Sequence, residues 1–155
     1  MHSFGIVLFN PEIPPNTGNI IRLCANTSCC LHLIKPMGFS LNEKSLRRAG
    51  MDYIKKVKIS IHENIFDLLN KGLFNRYFIV TKYGKNTYTE NKYSKNDCFI
   101  FGSESKGIPT NILKQFEDSK KISIPMTLGS RSLNLANSVS VVIYEALRQN
   151  KFQFL

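Results

Sequence analysis

The chain has 155 residues, 43% of them hydrophobic and 21% charged, a balance that gives a single domain its own core without support from metals or disulfides. With 21 lysines and arginines against 11 acids its formal charge is +10, which points to an anionic partner, nucleic acid first. No apolar run approaches the ~20 residues needed to cross a bilayer, and the first nine residues read as a buried strand without a basic leader, so a soluble, cytoplasmic chain is expected.

Short apolar runs rich in β-branched and aromatic residues predict the first strand at residues 4–9. Pro14 and Pro15 then fix the backbone ahead of Asn16, Thr17 and Gly18, and a helix is expected over 18–27. On it Ile20, Leu23, Cys24 and Thr27 recur at helical spacing, while Asn19, Arg22 and Asn26 share the opposite face beside the loop residue Asn16. Amides and a guanidinium gathered at the carboxyl end of a strand suit a ligand site, because open α/β sheets bind ligands there.

A second strand at 31–34 and a helix at 43–49 follow. Lys44, Arg47, Arg48, Lys55, Lys56 and Lys58 crowd this region, with Asp52 the acid among them, and form a candidate phosphate-contacting patch. Further strands are expected at 57–61, 77–81, 98–101 and 121–124, and helices at 63–70, 110–116 and 133–149. The polar, aperiodic stretch 83–97 reads as a loop within one domain spanning 1–155. Strands alternating with helices predict an α/β fold, a mostly parallel sheet with helices on both faces.

Two further segments mix turn residues with unexpected polar groups. After the strand at 98–101 comes Gly102-Ser-Glu-Ser-Lys-Gly-Ile-Pro109, whose glycines permit close backbone approach and whose Glu104 is placed to pair with a cation such as Arg22. It lacks the order of a phosphate loop or a dinucleotide fingerprint, which disfavours a nucleotide-dependent oxidoreductase. After the strand at 121–124, Ser132-Leu-Asn134 opens the last helix, whose free amides can bind a carboxylate. Cys24, Cys29, Cys30 and Cys98 show no metal-ligand spacing and are expected as reduced thiols, and His2, His32 and His62 lie outside the motifs, so no metal is expected.

The three polar segments, residues 10–22, 101–109 and 124–149, together resemble the three motifs of the SPOUT class of RNA 2′-O-methyltransferases, along essentially the whole chain. Within that class residues 11–27, 46–53 (Leu-Arg-Arg-Ala-Gly-Met-Asp-Tyr) and 132–148 look like the minimal, single-domain members that methylate the wobble cytidine or uridine ribose of leucine tRNAs. The resemblance implies S-adenosylmethionine as methyl donor, no metal, a C-terminal trefoil knot, a homodimer with the cofactor site near the interface, and the anticodon stem-loop of tRNA as partner. It maps cofactor binding onto Val80, Thr81, Gly102, Ile124, Met126, Ser132 and Leu133, and the reacting centre onto Arg22, Asn16, Glu104 and Asn134. Arg47, Arg48, Lys55 and Arg131 are the expected RNA contacts. A guanidinium stays charged at neutral pH, so the role expected of Arg22 is to hold the ribose or phosphate and stabilise the developing alkoxide. Another tRNA or ribosomal RNA ribose, or a non-catalytic RNA-binding module of the same fold, remain the alternatives.

Overall fold

A computed structural model describes residues 2–40, 44 and 53–155. Its sheet is built from β1 (Gly5–Phe9), β2 (Cys30–Ile34), β3 (Ile59–His62), β4 (Arg76–Val80), β5 (Asn86–Thr87), β6 (Asp97–Phe101) and β7 (Lys121–Ser123). The helices are α1 (Pro14–Thr27), α2 (Ile65–Leu69), α3 (Thr110–Leu113) and α4 (Leu135–Gln149), with short 3₁₀ turns at Ile54–Lys56 and Asp118–Lys120. The expected helix at 43–49 lies outside the described residues except for Lys44.

Among the described residues the sheet has 7 strands in the order β3-β2-β1-β6-β4-β7-β5, and every pairing is parallel. The central strands β2 and β6 are buried along their whole length, as a parallel sheet covered on both faces requires. Alternation along β1 assigns the layers: Ile6 and Leu8 pack with Ile20, Ile21 and Cys24 of α1 and with Val139, Val142 and Ile143 of α4. Val7 faces the other way, with Cys98, Ile100, Ile65 and Leu68 of α2, and Ile112 and Leu113 of α3. Full burial of each such side chain stabilises the fold by about 1.5–3 kcal/mol. The last helix therefore packs on the same face as the first.

Two expectations change. α1 begins at Pro14, not Gly18, because prolines suit the first helical positions, where no intrahelical amide partner is needed. Asn16, Thr17 and Gly18 are thus buried helical residues, not caps or loop. Within the expected loop 83–97, Asn86 and Thr87 form β5 on the far side of β7. Residues 81–85, which join β4 to β5, cross directly over β7: Thr81 N donates to Ile122 O (2.9 Å), and a Cβ on Gly84 would sit 2.5 Å from the Ile122 carbonyl carbon. Only glycine fits that crossing.

At the amino end of the sheet, Arg76 Nε and Nη2 donate to Asp97 Oδ1 and Oδ2 at 2.9 and 2.6 Å, and Ser94 N donates to Oδ2 at 2.7 Å. Asp97 is fully buried, so this pair ties β4 to β6 with a fully engaged carboxylate. On the α2 face, His32 Nδ1 and His62 Nε2 lie 2.9 Å apart in a buried, stacked pair, and burial pushes His32 down to about 4. The four cysteines are free and buried; burial pushes the Cys30 thiol up to about 11 and raises the others, so at neutral pH they are protonated thiols rather than nucleophiles.

Candidate active site

A cavity of about 420 Å³ opens at the carboxyl ends of β4 and β6 and beyond the end of β7, bounded by the first turns of α1 and α4. That volume lies within the range of small-molecule and cofactor sites. Val80 and Thr81, Gly102, Ile124 and Met126, and Ser132 and Leu133 all line it, as do Asn16, Glu104 and Asn134. Apolar wall comes from Val80, Phe101, Ile108, Ile124 and Leu135, and polar groups converge at its rim.

The rim is organised by one line of hydrogen bonds. Asn134 Nδ2 donates to Asn16 Oδ1 at 2.9 Å, and Asn16 Nδ2 donates to Glu104 Oε1 at 3.1 Å. Glu104 also accepts from the Glu12 amide (Oε2, 2.8 Å) and the Ile13 amide (Oε1, 3.1 Å). These amides immediately precede α1, whose N-cap residue Ile13 offers no side-chain cap. A carboxylate from a segment 92 residues away therefore caps the helix and complements its positive end. Asn134 caps α4 in turn, its Oδ1 accepting from Ala136 N (2.9 Å) and Asn137 N (3.3 Å). Ser105 Oγ donates to Glu12 Oε1 at 2.6 Å and adds a second stitch.

The Glu104 loop is shaped for this. Ser103 and Gly107 exchange backbone hydrogen bonds of 3.2 and 2.9 Å, and a Cβ on Gly102 would lie 2.3 Å from the Gly107 carbonyl carbon, so the turn closes only over glycine.

Three expectations are corrected here. Glu104 does not pair with Arg22: its oxygens are taken by neutral donors, because in space it meets the start of α1 and not its outer face. The α4 amides expected to receive a carboxylate are capped by Asn134 instead. Asn16 does not share a surface with Arg22, since it points into the cavity while Arg22, Asn19 and Asn26 lie on the exposed side of α1. The Arg22 guanidinium sits 5.7 Å from the centroid of the Tyr53 ring and forms no part of the cavity wall. Arg131 and Lys55 are exposed and outside the wall, and Arg47 and Arg48 lie outside the described residues. Reading the motifs missed Lys82, Tyr83, Ser105 and Lys106, which also line the cavity. Their signal was adjacency to Thr81 and Glu104. Among the described residues, no group of three or more His, Cys, Asp or Glu side chains is placed to hold a metal ion.

A parallel α/β sheet with a cavity at its carboxyl ends, rimmed by three segments that carry the recognised motifs, defines the class: the chain belongs to the SpoU rRNA Methylase family, whose profile matches residues 3–144. The resemblance to SPOUT methyltransferases is met in family and in sheet. More particularly, the chain is 47% identical over 149 residues to the tRNA (cytidine(34)-2'-O)-methyltransferase of Methylovorus glucosotrophus, covering 96% of this chain and 97% of that protein. It superposes with a TM-score of 0.90, at 37% identity and covering 98% and 99% of the two chains, on a structure solved for insights into the 2-OH methylation of C/U34 on tRNA. The SpoU methyltransferase AviRb from Streptomyces viridochromogenes, in complex with the cofactor AdoMet, shares the fold at a TM-score of 0.86 and 18% identity, over 97% of this chain and 59% of that one.

Proposed function

We propose that this chain transfers a methyl group from S-adenosylmethionine to the 2′-hydroxyl of the wobble cytidine or uridine, position 34, in the anticodon stem-loop of tRNA, with leucine tRNAs as its substrates. The observation that carries the reading is the Asn134–Asn16–Glu104 line at the cavity rim, which unites the three motif segments at one place in a chain matched end to end by relatives of that activity. A further RNA ribose as target is the second outcome of the test below.

The cavity suits the cofactor. Its volume is adequate, its apolar wall, with Val80, Ile124 and Leu135, suits an adenine, and Thr81 and Gly102 line it at the ends of β4 and β6. When bound, the cofactor supplies an electrophilic methyl group on a sulfonium, open to in-line attack by a ribose oxygen. The work left to this chain is alignment, which alone is able to remove several kcal/mol of barrier. Asn134 and Asn16 hold the starts of α4 and α1 at fixed separation, and Glu104 ties the start of α1 to the loop after β6. Glu104 is engaged by three donors and serves to position, not to take the proton.

Arg22 completes the reading only from outside the cavity of its own chain. In the proposed homodimer a second copy brings it to the reacting ribose, where its fixed charge holds the neighbouring phosphate and stabilises the alkoxide as the hydroxyl passes its proton to that phosphate or to solvent water. Lys55, Arg47, Arg48 and Arg131 are proposed as contacts to the tRNA backbone. The proposed trefoil knot is supported by the crossing of residues 81–85 over β7, which the chain must pass beneath before it reaches α4. A cytoplasmic location follows from a tRNA substrate; no helix among the described residues is long and apolar enough to cross a membrane.

The test is to incubate the protein with methyl-labelled S-adenosylmethionine and unfractionated tRNA, then locate the label by nuclease digestion and mass spectrometry. Label on the position-34 ribose of leucine tRNAs is expected; label on another ribose would replace the target, and none, with cofactor bound, would favour a non-catalytic module.

A further inference from the structure

The turn after β4 places an aromatic ring where a core residue would not be. Tyr83 lines the cavity mouth and is 67% exposed. It is not on a slack loop. Tyr83 N donates to Thr81 Oγ1 at 3.3 Å, Gly84 N donates to Thr81 O at 3.1 Å, and Thr81 N is held by Ile122 O at 2.9 Å, so the turn is hydrogen-bonded within itself and to β7. The glycine fit of Gly84 against Ile122 fixes its height above the sheet.

Charge at this mouth is uneven. Lys82 Nζ lies 5.1 Å from the Tyr83 ring centroid, and Lys106 lines the same cavity. Among the described residues neither ammonium ion-pairs with an acid, whereas Lys85, three positions after Lys82, is bound by Asp118 at 2.6 Å. The acid in the wall, Glu104, has its oxygens engaged by Glu12, Ile13 and Asn16. The rim therefore joins an exposed ring, with Lys82 over one of its faces, to cations without an acid partner among the described residues, in a chain of charge +10.

We propose that Tyr83 is a stacking platform for an unpaired base of the RNA substrate, with Lys82 and Lys106 contacting the phosphates on either side of it. The inference rests on the reading of this cavity as the place where an RNA ribose reacts. A single-stranded nucleotide presents both features that this rim matches, a free base face and a flexible phosphate backbone, and base–aromatic stacking is the usual means of holding it. A base within a duplex is stacked on its neighbours and offers no free face. The platform thus selects loop nucleotides over helical ones, and by holding the base it fixes the ribose at the cavity mouth.

Because the chain contains no tryptophan, Tyr83→Trp introduces a single indole as reporter. The variant is titrated with an unmodified anticodon stem-loop, with a duplex RNA of equal length and with S-adenosylhomocysteine, while anisotropy of labelled RNA reports binding independently. Quenching by the stem-loop, with little by the duplex or by S-adenosylhomocysteine, is expected. In parallel Tyr83→Ala should weaken stem-loop binding about tenfold, Tyr83→Phe should restore it, and S-adenosylhomocysteine affinity should be unchanged in both. RNA that binds without quenching overturns the platform, as does quenching by S-adenosylhomocysteine alone, which would give the ring to the adenine. Failure of the unsubstituted protein to bind any RNA while it binds S-adenosylhomocysteine would overturn the underlying reading of the cavity, and the platform with it.

Discussion

Two carboxylates mark opposite ends of the sheet and are satisfied in opposite ways. Asp97, at the amino end, is fully buried and held by the Arg76 guanidinium and a backbone amide. Glu104, at the carboxyl end, is held by two amides and a carboxamide, all neutral. A structural carboxylate taken out of water is compensated by a cation. A carboxylate beside a binding cavity that is held by neutral groups leaves the surrounding cations free for an anionic substrate, and its own geometry organises helices instead of merely closing the fold.

Substitutions at the two ends should separate stability from activity. The largest effect is expected for Arg76→Ala, which strands the Asp97 charge in the core and should destabilise the protein by about 3–5 kcal/mol in denaturant titrations, with methyl transfer at low temperature retained. A loss under 1 kcal/mol would mean that the pair is replaceable by water.

Another buried polar pair, His32 and His62, forms no ion pair with a carboxylate among the described residues, Asp67 acting on His62 only through space, and should respond to acid. His32 is depressed to about 4 in the folded state against 6.5 ordinarily, so below pH 6.5 the unfolded chain binds the proton that the folded chain refuses. Stability should then be full above pH 6.5, fall as pH drops towards 4 and level off below that for this group, a loss of up to ~3 kcal/mol. Urea melts at successive pH values check this, and a curve flat between 6.5 and 4 would count against it.

At the cavity, Asn16→Asp faces Glu104 with a second carboxylate and should lower kcat/KM about a hundredfold, corresponding to ~3 kcal/mol. The smallest effect belongs to Glu104→Gln, which keeps the shape but turns one acceptor into a donor against the amides before α1. About tenfold in kcat/KM is expected, with S-adenosylhomocysteine affinity, followed by calorimetry, changing less.

What could be read in advance divides along similar lines. β1, β6 and the apolar face of α4 announce themselves by composition and period, because burial dictates them residue by residue. β5 does not, since two polar residues, Asn86 and Thr87, pair only because β7 is already beside them. The motif residues around the cavity were legible through resemblance, but their partners were not. Glu104 suggested an arginine on charge alone, whereas it caps α1 through amides that no pattern in sequence marks as available. Sequence places Arg22 among the site residues, whereas its position on the exposed side of α1, outside the cavity, follows only from the turn of the helix on which it sits.

The most direct test is a double-mutant cycle on Asn16→Ala and Asn134→Ala, residues 118 positions apart in sequence, read in kcat/KM for methyl transfer. A coupling of about 1–2 kcal/mol is expected if the line of hydrogen bonds makes the three segments one site. Additive losses would mean that each asparagine acts alone and that the line is incidental.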